Sequence, residues 1–283
     1  MLAPNSLNAT DGTPHMEELR EAYGNGDLIV FAGAGISAAA GLPSWKKLVD
    51  LLLEKVKARQ SDPAYTTEIQ ELIVERRYID ALSAAKDALG APAFGSVVER
   101  CLDDRILKLP IPDVVHAIAA LEPKLRAVLT TNLDHLLERA FRGDWPPLSV
   151  PMGDIARRRR FILKLHGTLS DRDTWVFTRE DYDRAMYASP QLERAFTALF
   201  NACPLLFVGY GLIDDDFDAV LSRVRLLAGE QPPTHFALVS EDSVRPSRRR
   251  RLEDSGIRLI TYKNPDGRHG EVVRILKELA ANS

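Results

Sequence analysis

With 283 residues, 45% hydrophobic, 27% charged and a net charge of −3, the chain has a globular composition and no general attraction to nucleic acid or anionic membranes. No apolar run approaches the roughly 20 residues that span a bilayer, and the polar first 27 residues lack a hydrophobic signal core, so a soluble, cytoplasmic protein without a membrane partner is expected. Cys101 and Cys203 are the only cysteines, which excludes a disulfide framework and a multi-cysteine zinc site; no metal is expected.

Residues 1–14 carry Pro, Asn, Ser, Thr and Gly without periodicity and read as a flexible tail ahead of one domain, 15–283. The first apolar run, Leu28–Ala32, reads as a strand and breaks into the small residues Gly33-Ala34-Gly35. Trp45, Leu48, Leu52 and Val56 then recur at helical spacing. Residues from about 60 to 105 show helical composition and no strand, and read as a helical insertion between the first and second core strands. Further strands are expected at Leu125–Thr130, Phe161–Leu165, Leu205–Gly209, Phe236–Val239 and Arg258–Tyr262. A closing helix carries Val272, Ile275, Leu276 and Leu279. Near-continuous apolar strands alternating with amphipathic helices predict an α/β fold: a doubly wound, mostly parallel Rossmann-like sheet. The arginine runs Arg157–Arg160 and Arg248–Arg251 read first as solvated faces, with nucleic-acid or partner contact as the other reading.

Four strand ends deliver small or polar residues to one edge of such a sheet. "FAGAGIS" places glycines around Ala34 before a helix, where a tight turn needs small residues and where exposed backbone N–H groups suit a diphosphate. It lacks the third glycine of the dinucleotide fingerprint and the Lys-Ser/Thr ending of a nucleoside-triphosphate loop. "LTTNLDHLLERA" puts Asn132 and Asp134 after a strand, where helix capping is the competing explanation. "LKLHGTL" sets His166 and Gly167 after another, and "LLFVGYGLIDDDF" sets Gly209-Tyr210-Gly211 after a fourth.

Together, and in order, these segments resemble the sirtuin superfamily. "GAGISAAAGLPSW" is similar to its phosphate-binding and cofactor-loop motif, "TTNLD" to its Thr-Gln-Asn-Ile-Asp motif, and "HG" to its catalytic histidine. The chain departs from sirtuin deacylases: it lacks the two cysteine pairs of their zinc module and their peptide-binding Val-Val-Phe-Phe-Gly-Glu segment. Trp45 and Lys46 stand where Phe and Arg are usual. "VGYGLIDDDF" resembles the NAD-hydrolase branch found largely in prokaryotic anti-phage systems.

The resemblance implies NAD⁺ as substrate and hydrolysis to nicotinamide and ADP-ribose. It implies diphosphate binding by Gly33, Ala34, Gly35, Ile36 and Ser37, with Trp45 over the ribose and Asp134 on the nicotinamide carboxamide. Asn132 would orient a water or ribose hydroxyl, because its amide donates and accepts without titrating, and His166 would be the general base. Gly209, Tyr210 and Gly211 would meet the adenosine half. A zinc-free deacylase or ADP-ribosyltransferase, and a non-catalytic NAD-sensing module, are the alternatives. A homo-oligomer and a nucleic-acid-handling partner such as an ATPase or DNA translocase are expected.

Overall fold

The computed structural model describes residues 14–59, 62–149, 153–184, 190–210 and 233–281. Seven strands form one sheet: β1 (Ile29–Ala32), β2 (Ala127–Thr130), β3 (Pro147–Leu148), β4 (Ile162–Lys164), β5 (Leu205–Val208), β6 (His235–Ser240) and β7 (Ile257–Tyr262). Their order is β3-β4-β2-β1-β5-β6-β7, and every neighbouring pair is parallel. Six of the seven coincide with the expected runs. The exception, β3, is a two-residue edge strand beginning at a proline, with neither an apolar run nor an alternation to announce it. β1 lies in the centre, with β2 on one flank and β5 on the other. The chain therefore changes direction across the sheet at β1, which opens a crevice at the carboxyl ends of these strands.

Helices fill the connections. α1 (Pro14–Gly24) precedes β1. Between β1 and β2 come α2 (Ala34–Ala38), α3 (Trp45–Ala58), α4 (Pro63–Val74), α5 (Tyr78–Leu89), α6 (Ala91–Leu102) and α7 (Asp113–Ala119). The punctuation of this stretch is chemical. Ser44 caps α3 by accepting the Lys47 amide at 3.3 Å. Asp62 caps α4, whose first residue is Pro63, and Gly90 at φ 76° breaks α5 from α6. Later come α8 (Leu136–Ala140), α9 (Arg179–Asp183) and α10 (Pro190–Ala202).

Strand alternation sends side chains to two separate cores. Val30, Ala32, Val128, Leu206 and Val208 pack with α1, α7 and the helix Gly270–Ala281. Ile29, Phe31, Leu129 and Phe207 pack with α10 on the opposite face. A third core joins α3 to α6 through Leu48, Leu52, Ile69, Leu82 and Val98, and it also takes in Leu133, Trp175 and Phe177 from the sheet's edge. The inserted helices are thus packed onto the loops of the crevice.

The first arginine run is largely met by carboxylates within the fold: Arg158 with Asp154 at 2.9 Å, Arg159 with Asp27 at 2.7 Å and Arg160 with Glu122 at 3.7 Å. No helix among the described residues is long and apolar enough to cross a membrane.

Candidate functional site

A cleft of about 480 Å³, counting its open mouth, lies at the carboxyl edge of β1 and β2. Ala34, Ser37, Trp45, Asn132 and Asp134 line it, so five of the sequence candidates converge on one space. Thr131, from the "TTNLD" motif, and Phe177 join them.

The glycine turn is built by close backbone approach. The Gly33 amide donates to the Val208 carbonyl at 2.8 Å, and the Gly35 amide to the Gly209 carbonyl at 2.7 Å. A methyl group on Gly35 would lie 2.6 Å from the Gly209 oxygen, and one on Gly33 would lie 2.7 Å from the Tyr210 ring. The ends of β1 and β5 thus meet here, and both amides that the sequence assigned to a diphosphate are bonded to backbone carbonyls. Ile36 is likewise buried in the core, so its side chain is structural. Tyr210 supports the cleft from below, with its hydroxyl 3.3 Å from the Thr131 hydroxyl. Gly211 lies outside the described residues.

The loop after β2 is clamped from every side. Thr130 Oγ1 donates to the Ala32 carbonyl at 2.8 Å and accepts the Asn132 amide at 3.0 Å. Asn132 Nδ2 donates to the Gly33 carbonyl at 3.0 Å, which fixes the orientation of its side-chain amide. Asp134 accepts the Ser37 hydroxyl at 2.5 Å and the Leu136 amide at 3.1 Å, so it ties the two loops together and takes up the first amide of α8. Burial pushes the Asp134 carboxyl above the usual carboxylate range, with the Ser37 hydroxyl and the Lys164 charge opposing.

Lys164, at the end of β4, is 1% exposed and lies beneath this loop. Its ammonium donates to the Leu133 carbonyl at 3.1 Å, the Asp134 carbonyl at 2.5 Å and Glu138 Oε1 at 2.6 Å. From the insertion side, Asp104 accepts the His135 amide at 2.8 Å and Arg139 Nη1 at 2.6 Å. Burial works against its ionisation, but the His135 ring, the Arg139 guanidinium and the His135 amide together hold its carboxyl well below the usual range. Asp103, Asp104 and His135 offer ligand atoms within 4.8 Å of one another. Both carboxylates are already paired, Asp104 with Arg139 at 2.6 Å and Asp103 with Arg105 at 3.3 Å.

His166 follows β4 and is 8% exposed. Gly167, at φ 83°, allows the hard turn after it, where any Cβ would run into the Thr174 carbonyl. The Trp45 ring meets His166 edge-on at 6.5 Å and Phe177 at 5.7 Å, so Trp45 connects the cleft to the histidine. On another side, the Tyr182 hydroxyl lies 3.3 Å from His166 Nε2. Sequence reasoning missed Lys164, Asp104 and Tyr182. A lysine inside the apolar run "FILKL" was an available signal for the first, since lysines are almost never fully buried without partners. Nothing local marked the other two.

An all-parallel sheet with a small-residue turn, and with a largely apolar cleft carrying a few polar groups at its switch point, belongs to the Rossmann-like class. Within that class, residues 126–260 match the model of the SIR2-like domain family. The resemblance carried by the motifs is thereby borne out. Among curated proteins, the chain is similar to the NAD(+) hydrolase ThsA of Cytobacillus dafuensis, 24% identical over 234 residues, covering 81% of this chain and 44% of the relative. It is similar to the defense-associated sirtuin 2 of Bacillus subtilis, 25% identical over 255 residues, covering 87% of this chain and 24% of the relative. The ThsA of Enterococcus faecium is 25% identical over 239 residues, covering 79% of this chain and 45% of the relative. The chain thus spans less than half the length of each of these relatives. A solved structure from work on sirtuin substrate affinity shares the fold, with TM-score 0.51 and 15% identity over 94% of this chain and 98% of that one.

Proposed function

We propose that the chain hydrolyses NAD⁺ to nicotinamide and ADP-ribose, as the NAD-depleting effector of a cytoplasmic anti-phage assembly. The observation that carries this reading is the meeting of Asn132, Asp134 and Trp45 in one cleft, with His166 against the same tryptophan. The names of the similar proteins, NAD(+) hydrolase and defense-associated sirtuin, supply the substrate and the setting.

The chemistry follows from the groups present. Breaking the nicotinamide–ribose bond builds positive charge on the sugar, and a protein accelerates it by orienting the ribose and stabilising that charge. Trp45 would cover the ribose and offer a π face to the developing cation. Asn132, fixed through Gly33, would orient water or a ribose hydroxyl, and His166 would accept the proton. Asp134 would meet the nicotinamide carboxamide. With the Gly33 and Gly35 amides engaged, the diphosphate role narrows to the Ala34 end of the turn, with Gly209 and Tyr210 beneath it. A second copy of the chain and a nucleic-acid-handling protein such as an ATPase or DNA translocase are the proposed partners. The test is free nicotinamide from NAD⁺, with and without an acylated peptide. Turnover without peptide supports the hydrolase; turnover only with peptide replaces it by a deacylase.

A further inference from the structure

His166 does not stand alone at the end of β4. The hydroxyl of Tyr182 lies 3.3 Å from its Nε2, and the two rings meet edge-on with centroids 5.3 Å apart. Tyr182 sits in α9, a single turn of five residues that could not hold a side chain in place unaided. It is not unaided. Thr178 and Asp181 form a reciprocal capping box around its first turn. Asp181 also accepts the Phe177 amide at 3.2 Å, which anchors the turn to the third core.

Further ties go to α5, within the inserted helices. The Arg179 amide donates to Ser83 Oγ at 3.0 Å, the Arg179 guanidinium reaches Asp80 at 3.0 Å, and Lys86 reaches Asp181 at 3.3 Å. The path therefore runs from the insertion, through α9, to the imidazole.

We propose that Tyr182 is a positioning residue for His166, donating its phenol proton to Nε2 and so holding the imidazole as the Nδ1–H tautomer, with the inserted helices fixing the contact. A neutral imidazole presents one acceptor nitrogen, and its partner decides which. A phenol donates more readily than it accepts, so one facing Nε2 favours the tautomer with that nitrogen unprotonated, the form a general base needs. At 3.3 Å the bond is at the weak end of the range, so it selects the tautomer and still yields to a shorter bond from a substrate hydroxyl. This rests on the hydrolase reading for its catalytic consequence, but the tautomer itself does not depend on turnover.

The test compares the full chain with Tyr182→Phe, which keeps the ring and removes only the hydroxyl. Imidazole ¹⁵N spectra, with the His166 signal identified by its loss in His166→Ala, give the first readout. The expected result is an unprotonated Nε2 in the parent and a shift toward Nε2–H in Tyr182→Phe. The same tautomer in both proteins, or Nε2–H in the parent, would overturn the proposal. In the nicotinamide assay, Tyr182→Phe should lower kcat about tenfold or more with KM for NAD⁺ and the melting temperature unchanged. Arg179→Ala, which loosens an exposed ion pair, should lower kcat in the same sense by up to about fivefold. Faster turnover in Tyr182→Phe would instead make the tyrosine a block, and a change in KM alone would make it a binding residue; either refutes the assignment. A parent that releases no nicotinamide defeats the hydrolase reading, and the ¹⁵N comparison then still decides the tautomer.

Discussion

Lys164→Met is the sharpest probe of how this cleft is held. The substitution keeps the length of the stem and removes the ammonium, which is 1% exposed and bonded to two loop carbonyls and to Glu138. Glu138 is itself only 14% exposed at its side chain, so it would be left as a largely buried carboxylate without its counter-charge. Removing one member of a buried pair costs about 3–5 kcal/mol, mostly because the survivor stays unpaired. At a few degrees per kcal/mol for a chain of this size, the melting temperature should fall on the order of 10 °C. Urea unfolding gives the free energy directly, and Lys164→Met with Glu138→Leu should recover most of the loss, since a neutral apolar pair no longer strands a charge. The nicotinamide assay should show little recovery in that double variant, because the carbonyls of Leu133 and Asp134 remain unheld. A loss below about 1 kcal/mol in the single variant, or no recovery in the double, would refute the view that this ammonium organises the loop.

Asn132→Ala and His166→Ala should each abolish nicotinamide release while the protein stays folded; the Gly33 carbonyl freed in the first still accepts the Ile36 amide at 3.2 Å. Normal release by either folded variant removes that residue from the mechanism. Gly167→Ala combines a φ of 83° with a collision at the Thr174 carbonyl, and should cost about 3 kcal/mol or more by urea unfolding; a near-neutral effect would show that the turn can relax. Burial lowers the His235 pKa from 6.5 to about 3, so the unfolded chain takes up a proton there before the folded one does. Stability should therefore decline as pH falls from 6.5 toward 3, and His235→Asn, which keeps an acceptor for the Leu205 amide, should flatten that decline; an unchanged pH profile would exclude His235 as its source.

The parts of this molecule that could be read from sequence are those fixed by local pattern. The core strands are dense apolar runs because both faces are covered, and "NLD" and "HG" stand out because polar residues directly follow such runs. β3 was not legible, since two edge residues beginning at Pro147 carry no pattern. Lys164 and Asp104 escaped because their roles depend on partners about 30 residues distant: the carbonyls of Leu133 and Asp134 for one, the His135 amide for the other. The glycines were half read. Their spacing signalled close backbone approach, but only the adjacency of β1 and β5 shows that the approaching backbone belongs to Gly209 and Tyr210.

The Gly33 and Gly35 amides are bonded to the end of β5, and the turn forms a floor on which other groups are fixed. Two side-chain bonds do the fixing, Ser37 to Asp134 and Asn132 to the Gly33 carbonyl, across 97 and 99 residues of sequence. The inserted helices lie within that interval, and their own core closes on Leu133 of the same loop and on Phe177, which walls the cleft. The cleft exists only where the central strands and the insertion are packed together. Its opening free energy should therefore lie near that of global unfolding, and hydrogen exchange at the amides of Asn132 and His135 should be as slow as in β1. Fast exchange at these amides beside a protected β1 would show that the loop opens on its own, and that the clamp of Lys164, Asp104 and Thr130 is weaker than its geometry implies.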